Sequence, residues 1–435
     1  MTDLDMNAGF TTTLRLLSES QENLFITGRA GTGKSTLLSY FHRTTSQSNV
    51  VLAPTGVAAI NVGGSTIHSF FGFKPNITID KAWSMGGKTK KAEIYRNLSL
   101  IIIDEISMVR ADLLDCIDAF LRRVCLNTSP FGGKRVVFFG DLYQLPPVVT
   151  KDEEAIFRAR YHSPFFFSAD VMTRTALTYI ELNQIYRQTD DEFIEVLNSL
   201  REGKLSLSHL DLLNARVSPE YAPPPEEYVV NLTGTNKNAE YYNAYQLQSL
   251  PVEEYIFSAI STGRFDSRSE PAPRELCLKI GAQVMFTAND REKRFVNGTV
   301  GRVEEIGYEN NQPIISVRLR NKKLIDVSPT TWEMFSYDYS EKSRKITSDV
   351  VGTYTQIPLI LAWAVTVHKA QGKTFDRVII DLPQSFAHGQ TYVALSRATS
   401  LGGLYLRRPI TNHHIITDPI IKSWVSLMKE TSTIL

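Results

Sequence analysis

The sequence predicts an α/β protein built on parallel sheets. Short apolar runs alternate with helical stretches from Leu24 to about Ile180, and the alternation returns near Ile360 and continues past Leu406. A glycine-rich segment, Gly28-Arg29-Ala30-Gly31-Thr32-Gly33-Lys34-Ser35, joins the first strand to a helix and matches G-x-x-x-x-G-K-[ST] at every fixed position. A chain of 435 residues is too long for one hydrophobic core, so two to four domains are expected.

The first α/β region contains four predicted strands, which are short apolar runs at residues 24–27, 50–53, 100–103 and 136–139. Apolar residues three and four positions apart predict a helix over residues 111–124. Residues 74–96 break the rhythm with Gly86-Gly87 and weak periodicity, and we interpret them as an insertion.

The middle of the chain has a different character. Pro223-Pro224-Pro225 predicts a stiff connector. Residues 276–327 read as short strands with turn signals such as Asn297-Gly298 and Asn310-Asn311. This pattern predicts a small β-barrel inserted before the second α/β region.

Composition excludes several classes of protein. The formal net charge is +1, which leaves nucleic-acid binding open because a local groove can be basic on a neutral chain. Cys116, Cys125 and Cys277 have neither metal-ligand spacing nor a disulfide pattern, so reduced core residues are expected. With no signal-like start and no run of eighteen apolar residues, we expect a soluble, intracellular protein that does not bind membranes.

The glycine-rich segment predicts binding of a nucleoside triphosphate. Its glycines let successive N–H groups face a phosphate, and the following helix start adds partial positive charge. Lys34 can reach the β- and γ-phosphates, and the Ser35 hydroxyl can ligate Mg²⁺. The residues expected to contact the nucleotide are Gly28, Ala30, Gly31, Thr32, Gly33, Lys34, Ser35 and Thr36.

Two further segments follow predicted strands and fit phosphate chemistry. Asp104 ends an apolar strand and would hold Mg²⁺, while Glu105 could orient or deprotonate the attacking water. Gln144, in Gly140-Asp141-Leu142-Tyr143-Gln144, could bond both the γ-phosphate and that water. Because ligands collect at the carboxyl ends of parallel strands, these side chains are expected at one edge of the sheet.

The motifs together resemble superfamily 1B helicases, most nearly the petite-integration-frequency family of DNA helicases, with the RecD-type proteins next. The resemblance covers residues 24–406 and rests on the ordered segments GRAGTGKS, APTGVAAINVGGSTIHSFF, LIIIDEISM, GDLYQLPPV, LNQIYRQ, VTVHKAQGKTFD and YVALSRATS. Residues 106–115 resemble the signature of that family, and residues 281–286 and 296–301 resemble its SH3-like β-barrel.

The resemblance implies a domain plan of two RecA-like lobes with two insertions. Residues 1–65 and 97–180 would form lobe 1A, and residues 66–96 a wedge subdomain, 1B. Residues 181–240 and 350–435 would form lobe 2A, and residues 241–349 subdomain 2B. The six Lys and Arg residues in 74–96, against Asp80 and Glu93, fit a wedge at a DNA fork, although a solvated charged face has the same bias.

The resemblance also implies residues that complete the ATP site. Arg187 and Arg397 match arginine-finger positions and could neutralise charge on the γ-phosphoryl group. Gly372 and Lys373 would line the same cleft. The family places a glutamine upstream of the phosphate loop to read adenine, whereas this chain has Asn7 in that neighbourhood, which could contact the nucleotide with the same amide at one methylene less. Base selectivity is therefore an open question.

Contacts to DNA are expected from loops with hydroxyl, amide and aromatic groups. Two Thr-x-His stretches, one per predicted lobe, would grip a single strand twice and without regard to its sequence. The implied DNA-binding residues are Pro54, Thr55, Gly56, Ala58, Thr66, His68, Ser69, Phe70, Thr366, His368, Lys369 and Gln371.

The sequence thus predicts an ATP- and Mg²⁺-dependent DNA helicase that moves 5′ to 3′ on single-stranded DNA and unwinds forked or structured DNA. Polarity follows from the resemblance alone, as do links to repair, recombination, telomere maintenance and G-quadruplexes. A monomer is expected in the absence of DNA, located in the cytoplasm of a prokaryote or the nucleus or mitochondria of a eukaryote. The alternatives are an RNA helicase or duplex translocase with the same motor, or a nucleic-acid-binding scaffold without turnover.

Overall fold

The computed structural model describes residues 6–74, 76–149, 151–290, 292–340, 345–383 and 387–431. The chain divides into two compact units. The first unit covers Met1–Tyr186, Phe335–Val350 and Asp418–Leu435, and the second covers Arg187–Met334 and Val351–Thr417.

The first unit is built on a six-stranded parallel sheet with the strand order β3-β2-β4-β5-β1-β6. Its elements up to the last strand of this sheet are α1 (Ala8–Glu19), β1 (Leu24–Gly28), α2 (Lys34–Thr44), β2 (Asn49–Ala53), α3 (Gly56–Asn61), β3 (Ser65–Thr66), α4 (Ile67–Phe71), α5 (Ile79–Lys88), α6 (Ala92–Asn97), β4 (Leu100–Ile103), α7 (Ala111–Cys125), β5 (Arg135–Phe139), α8 (Lys151–Arg158) and β6 (Thr178–Leu182).

The central strands of this sheet are apolar because both faces are covered. Every residue of β1, β4 and β5 is buried. The predicted strands and the helix over 111–124 are confirmed to within one residue at each end. Because all strands run in one direction, the segments that follow them emerge at one carboxyl edge.

The predicted insertion at 74–96 forms two helices, α5 and α6, that are fixed to α7. A Cβ atom on Gly86 would lie 2.6 Å from the carbonyl oxygen of Phe120, so glycine permits the close approach of α5 and α7. Tyr95 packs on the Phe120 ring at 4.8 Å and on the Phe71 ring at 5.8 Å. The glycines that weaken the helical periodicity are therefore packing residues.

The second unit combines a four-stranded parallel sheet, ordered β18-β7-β19-β20, with antiparallel sheets ordered β14-β13-β12-β11-β17 and β10-β8. A third antiparallel sheet, β15-β16-β9, is divided between the units, because residues 335–350 of β15 and β16 belong to the first unit, although those up to 349 were expected in subdomain 2B. The remaining elements before the C-terminal helix are α9 (Asp191–Arg201), α10 (Leu207–Asn214), β7 (Val230–Thr233), α11 (Asn236–Ser249), β8 (Tyr255–Ser258), β9 (Ile260–Gly263), β10 (Glu275–Leu278), β11 (Gln283–Phe286), β12 (Val300–Glu309), β13 (Gln312–Leu319), β14 (Leu324–Val327), β15 (Thr330–Ser340), β16 (Lys345–Gln356), β17 (Leu359–Leu361), β18 (Ala364–Thr366), α12 (Val367–Ala370), β19 (Val378–Asp381), α13 (Gln390–Leu395) and β20 (Leu404–Leu406).

The antiparallel strands form the predicted β insertion, with more sequence than expected. The first antiparallel strand begins at Tyr255, before the predicted start at 276. The last strand of the five-stranded sheet, β17, lies beyond the predicted end at 327. A core that includes Leu276, Phe286, Val303 and Val317 holds these strands together.

The C-terminal helix α14 (Pro419–Thr431) belongs to the first unit, whereas residues 350–435 were all expected in lobe 2A. The Trp424 ring stacks on Phe167 at 4.7 Å and meets Phe25 at 5.6 Å. This aromatic packing joins α14 to the first unit. The residues involved are far apart in the sequence, so no local sequence pattern indicates it. The division between units falls after Tyr186, six residues past the predicted boundary at 180. No helix among the described residues is long and apolar enough to cross a bilayer.

Candidate functional site

The predicted nucleotide residues of the first unit emerge from three neighbouring strands. Strands β4, β5 and β1 are adjacent in the sheet and parallel, with Ile103 aligned to Phe138 and Phe139 aligned to Ile26. Asp104, Gly140 and the phosphate loop follow these strands directly. The fold therefore brings the three predicted nucleotide motifs to one stretch of the carboxyl edge.

The phosphate loop has the backbone shape that its glycines allow. Gly31 and Gly33 have φ angles of 87° and 79°, in the left-handed region that favours glycine. A Cβ atom on Gly28 would lie 2.7 Å from the carbonyl oxygen of Leu182. The Lys34 ammonium donates to the carbonyl oxygens of Gly28 at 2.8 Å and Arg29 at 3.1 Å, so the cation is held at the loop.

Asp104 and Glu105 differ in environment although they are neighbours. Asp104 is 5% exposed, and burial raises the pKa of its carboxyl to about 7, assisted by the Glu105 charge and opposed by Lys34. Glu105 has φ 50° and ψ 43°, a left-handed conformation that costs on the order of 1–3 kcal/mol for a residue with a side chain. Such strain is typical of functional positions.

Gln144 is held by a residue that the sequence reasoning did not single out. The buried carboxylate of Asp141 accepts from the backbone N–H of Tyr143 at 3.2 Å and from Nε2 of Gln144 at 3.4 Å. Asp141 therefore orients the amide that was predicted to face the γ-phosphate. Its position directly after Gly140, at a strand end, is the signal that could have identified it.

The second unit brings together Arg187, Gly372, Lys373 and Arg397. Nη2 of Arg187 donates to the Gly372 carbonyl oxygen at 3.1 Å. Arg397 is 1% exposed, and its guanidinium donates to the carbonyl oxygens of Val393 at 2.8 Å and Lys373 at 3.1 Å. In this conformation Arg397 bonds within its own unit, and its arginine-finger role stays a prediction.

Gln188 supports the same segment from the neighbouring position. Its Nε2 donates to the carbonyl oxygens of Ser396 at 3.1 Å and Ala398 at 3.2 Å. These bonds flank Arg397 on both sides, so Gln188 is a positioning residue that the motif alone did not reveal.

Both ends of the Asn7 amide are used within the first unit. Oδ1 caps α1 by accepting from the Phe10 N–H at 2.9 Å, and Nδ2 donates to the Tyr186 hydroxyl. The Phe10 and Tyr186 rings lie 6.1 Å apart. A cavity of about 330 Å³, lined in part by Asn7, Phe10 and Thr32, adjoins the phosphate loop. The aromatic pair was not predicted, although Tyr186 immediately precedes Arg187.

The predicted DNA-binding threonines all cap helices at strand ends. Thr55 follows β2 and accepts from the Ala58 N–H at 3.3 Å, and Thr66 ends β3 and accepts from the Ser69 N–H at 3.1 Å. In the second unit Thr366 ends β18 and accepts from the Lys369 N–H at 3.3 Å.

The two units repeat this arrangement residue for residue. Ala53 aligns with Thr66 across β2 and β3, and Thr55 lies two positions beyond Ala53. Thr233 aligns with Thr366 across β7 and β18, and Thr235 lies two positions beyond Thr233. Thr235 caps α11 by accepting from the Asn238 N–H at 3.3 Å. It is the counterpart of Thr55, and the sequence analysis missed it.

The other predicted DNA residues lie around these caps. Phe70 is half-buried and edge-on to Tyr95 at 5.3 Å, so only part of its ring is available for stacking. His368 and Lys369 are exposed on α12, beside Thr366. Pro54, Gly56 and Ala58 flank Thr55, His68 and Ser69 follow Thr66, and Gln371 ends α12.

Comparisons with known proteins agree with this geometry. Residues 10–210 match the sequence model of the PIF1-like helicase family, and residues 361–405 match that of the UvrD-like helicase C-terminal domain. The ATP-dependent DNA helicase Pif1 of Bdellovibrio bacteriovorus is 34% identical over 398 residues, covering 90% of this chain and 85% of that protein. Human PIF1 is 34% identical over 393 residues, covering 88% of this chain and 58% of that protein.

Solved structures give the same result. Pif1 from Bacteroides sp in complex with ADP-AlF4 superposes with a TM-score of 0.90 and 36% identity, covering 100% of both chains. Bacteroides Pif1 bound to ssDNA has a TM-score of 0.69 at 36% identity, with 100% of both chains covered. The Candida albicans Pif1 helicase has a TM-score of 0.75 at 29% identity, covering 98% of this chain and 100% of that one. This chain therefore belongs to the Pif1-like family of helicases, as the resemblance among its motifs predicted.

Proposed function

We propose that this chain, an ATP-dependent DNA helicase by its family, moves 5′ to 3′ on single-stranded DNA and unwinds forked or structured DNA. One observation carries the proposal. A single carboxyl edge presents nucleotide motifs on β4, β5 and β1 and threonine caps on the neighbouring β2 and β3. The Bacteroides relative, whose structures are described with ADP-AlF4 and with ssDNA, supports the same assignment.

ATP hydrolysis would depend on four side chains of the first unit. Lys34, which already lies at the phosphate loop, would hold the phosphates. Glu105 would orient and deprotonate the attacking water, with Gln144 fixed beside it by Asp141.

The donor set of this site fits Mg²⁺. Ser35 offers an exposed hydroxyl at the start of α2, and Asp104 offers a buried carboxylate. Hard oxygen ligands are the ones that Mg²⁺ prefers, and a cation would offset the burial that raises the pKa of Asp104. When bound, the ion would neutralise phosphate charge as the γ-phosphoryl group leaves.

Arg187 and Arg397 would supply positive charge from the second unit. Both guanidiniums donate to backbone carbonyl oxygens of the segment that follows α12. Arg187 donates to Gly372 and Arg397 donates to Lys373. Carbonyl partners do not neutralise a guanidinium as a carboxylate would, so both groups keep a full charge for phosphate.

DNA would be gripped by the repeated threonine caps. In each cap the hydroxyl oxygen accepts from a backbone N–H, so its proton is left to donate to a phosphate oxygen. Thr55 and Thr235 are exposed and Thr66 is half-buried, whereas Thr366 is 4% exposed. Phosphate contacts carry no sequence information, which suits a translocating motor. One set in each unit would let the protein hold the strand at two places in turn.

Residues 66–96 would serve as the wedge that parts the strands. Helices α5 and α6 are braced on α7 by Gly86 and Tyr95, so the segment is a rigid obstacle. A monomer is proposed in the absence of DNA. A Bacteroides structure described as two coordinating Pif1 helicases on forked dsDNA makes assembly on DNA a separate question.

The deciding experiment compares duplexes with a 5′ or a 3′ single-stranded tail. Unwinding of the 5′-tailed duplex with Mg²⁺ and ATP is expected, with little unwinding of the 3′-tailed one. ATPase stimulation by single-stranded DNA should exceed that by RNA or by blunt duplex. Equal stimulation by RNA would favour an RNA helicase, and preference for the 3′ tail would reverse the proposed polarity.

A further inference from the structure

The outer surface of α5 and α7 carries an exposed tryptophan beside two arginines. Trp83 is 42% exposed, while Trp332, Trp363 and Trp424 are buried or half-buried. The guanidinium of Arg123 lies 5.6 Å from the centre of the Trp83 ring and that of Arg122 lies 5.9 Å from it. An aromatic ring with cations at this range combines a stacking face with positive charge.

Adjacent glycines in α5 make this arrangement possible. A Cβ atom on Gly86 would collide with the Phe120 backbone, and one on Gly87 would lie 2.9 Å from Nε of Arg123. Glycine is less favourable than alanine inside a helix, so its presence at both positions indicates a packing requirement. Gly86 brings the helices together, and Gly87 leaves room for the Arg123 guanidinium to lie across α5 toward Trp83.

The cations beside Trp83 are partly neutralised, and Asp80 lies three positions before Trp83 on the same face of α5. Arg122 is held by the buried Asp118, with Nε 2.8 Å from Oδ2. Within the described part of the chain Arg123 forms no ion pair, and the same holds for the exposed lysines nearby in sequence, Lys81, Lys88 and Lys90. Asp80 and Glu93 are the acidic residues of this segment, and Glu93 is paired with Arg96 at 3.0 Å.

The surface is separate from the threonine caps. Helix α7 runs from the carboxyl end of β4 to the amino end of β5, so Arg122 and Arg123, near its C-terminus, lie toward the amino edge of the sheet. Its 15 residues span about 22 Å. Thr55 and Thr66 follow β2 and β3 at the carboxyl edge, so the Trp83 surface is a separate surface from the caps, although α4, which Thr66 caps, contacts Phe120 of α7 through Phe71 at 5.4 Å.

We propose that Trp83 and Arg123 form a second contact for single-stranded DNA, which takes the strand displaced at the fork. This inference rests on the proposed helicase function. A base would stack on the exposed part of the Trp83 ring, and Arg123 with the nearby lysines would neutralise phosphates. Contact with the displaced strand would keep it from re-pairing behind the wedge.

The test uses two 5′-tailed duplexes, one whose displaced strand carries a 3′ single-stranded tail and one whose displaced strand ends at the duplex. Trp83→Ala and Arg123→Ala are expected to lower unwinding of the first by about tenfold, the lower part of the range for loss of one base–aromatic contact. Unwinding of the second should fall by a smaller factor, because its displaced strand reaches the surface only after the first base pairs have opened. ATPase stimulated by single-stranded DNA should change by less than about twofold, since the surface does not contact the nucleotide.

Two variants separate this role from a structural one. Trp83→Phe keeps a stacking face and should recover most of the lost unwinding. Tyr245→Ala removes an aromatic residue that is 62% exposed on α11 and should have no effect. A displaced strand carrying 5-iodouracil in its tail should crosslink to the peptide containing Trp83, and the tracking strand should not.

Three results would overturn the inference. They are equal losses on both duplexes, a parallel loss of ATPase, or no crosslink at Trp83 with unwinding unaffected by Trp83→Ala. The last result would assign the surface to a protein partner or to none. Failure of the helicase proposal is distinguishable, because the unaltered protein would then unwind neither duplex.

Discussion

Thr55 and Thr235 occupy equivalent positions in the two parallel sheets. Thr55 lies two residues after the end of β2 and Thr235 two residues after the end of β7, and each caps the next helix. Their backbone angles φ and ψ are −123° and 154° for Thr55 and −133° and 150° for Thr235. Thr66 and Thr366 are equivalent in the same way, at −73° and 148° and at −77° and 153°. Thr235 therefore joins the predicted DNA contacts on structural grounds alone.

We expect Thr235→Val to weaken single-stranded DNA binding as much as Thr55→Val, by roughly tenfold to a hundredfold for one hydrogen bond to a charged group. Thr235→Ser keeps the hydroxyl and should bind normally. Affinity measured by fluorescence anisotropy checks both. Ser206→Ala, which removes the cap of α10, controls for the loss of a helix cap of about 1 kcal/mol. Normal binding by Thr235→Val would remove Thr235 from the DNA path.

Glu105→Gln should preserve ATP binding and lower DNA-stimulated hydrolysis by roughly two to four orders of magnitude, because the amide cannot accept a proton from water. Stopped-flow binding and steady-state ATPase measure the two effects separately. Lys34→Ala is the contrasting variant, in which both binding and hydrolysis should fall. Near-normal turnover of Glu105→Gln would place the general base on another residue.

Arg397→Ala tests an arginine finger at a buried position. Hydrolysis should fall by about three to five orders of magnitude if the guanidinium meets the γ-phosphate. The burial of Arg397 adds a second expectation, since the substitution removes a donor from the Lys373 carbonyl oxygen and leaves that of Val393 with only the Ser396 hydroxyl, which should lower the melting temperature.

Arg187→Ala tests the second proposed finger at a smaller structural cost, because Arg187 makes one bond of 3.1 Å to the Gly372 carbonyl oxygen and a weak one of 3.5 Å to that of Ser396. A loss of hydrolysis without a large fall in melting temperature supports a finger. If Arg397→Ala lost hydrolysis only in proportion to the fraction unfolded, its role would be structural.

The pKa of Asp104 predicts a dependence of stability on pH. Burial raises this pKa from 3.8 to about 7 in the folded protein, so between these values the folded state binds more protons than the unfolded state. Stability contributed by this group therefore falls as pH rises from about 4 to about 7 and stays level above. Asp104→Asn removes that loss. Its melting temperature should exceed that of the unaltered protein by more at about pH 8 than at about pH 4.5. A pH-independent difference would contradict the prediction.

The fold and the nucleotide motifs could be predicted because their signals are local. The apolar run at β4 indicates a strand without knowledge of its neighbours in the sheet. Gly31 and Gly33 indicate the phosphate loop, because its backbone needs positive φ angles at these positions. The remainder depends on contacts between distant residues. Helix α5 packs closely on α7 because Gly86 fits against Phe120, and α14 joins the first unit because Trp424 stacks on Phe167. Thr235 could be identified as the counterpart of Thr55 only from the register of β7 with β18 and of β2 with β3.

Asn7 gives the last prediction, that base selectivity is weak. A site discriminates strongly when it holds polar groups that the wrong base leaves unpaired, and weakly when it does not. Both ends of the Asn7 amide already bond within the protein, to the Phe10 N–H and the Tyr186 hydroxyl, so the amide does not need a base edge for its hydrogen bonds. We expect the DNA-stimulated kcat/KM values for ATP and GTP to agree within about tenfold. Asn7→Asp keeps a good helix cap and removes the amide donor, so it should leave that ratio unchanged. If the unaltered protein preferred ATP by more than about a hundredfold and Asn7→Asp abolished the preference, Asn7 would read adenine after all.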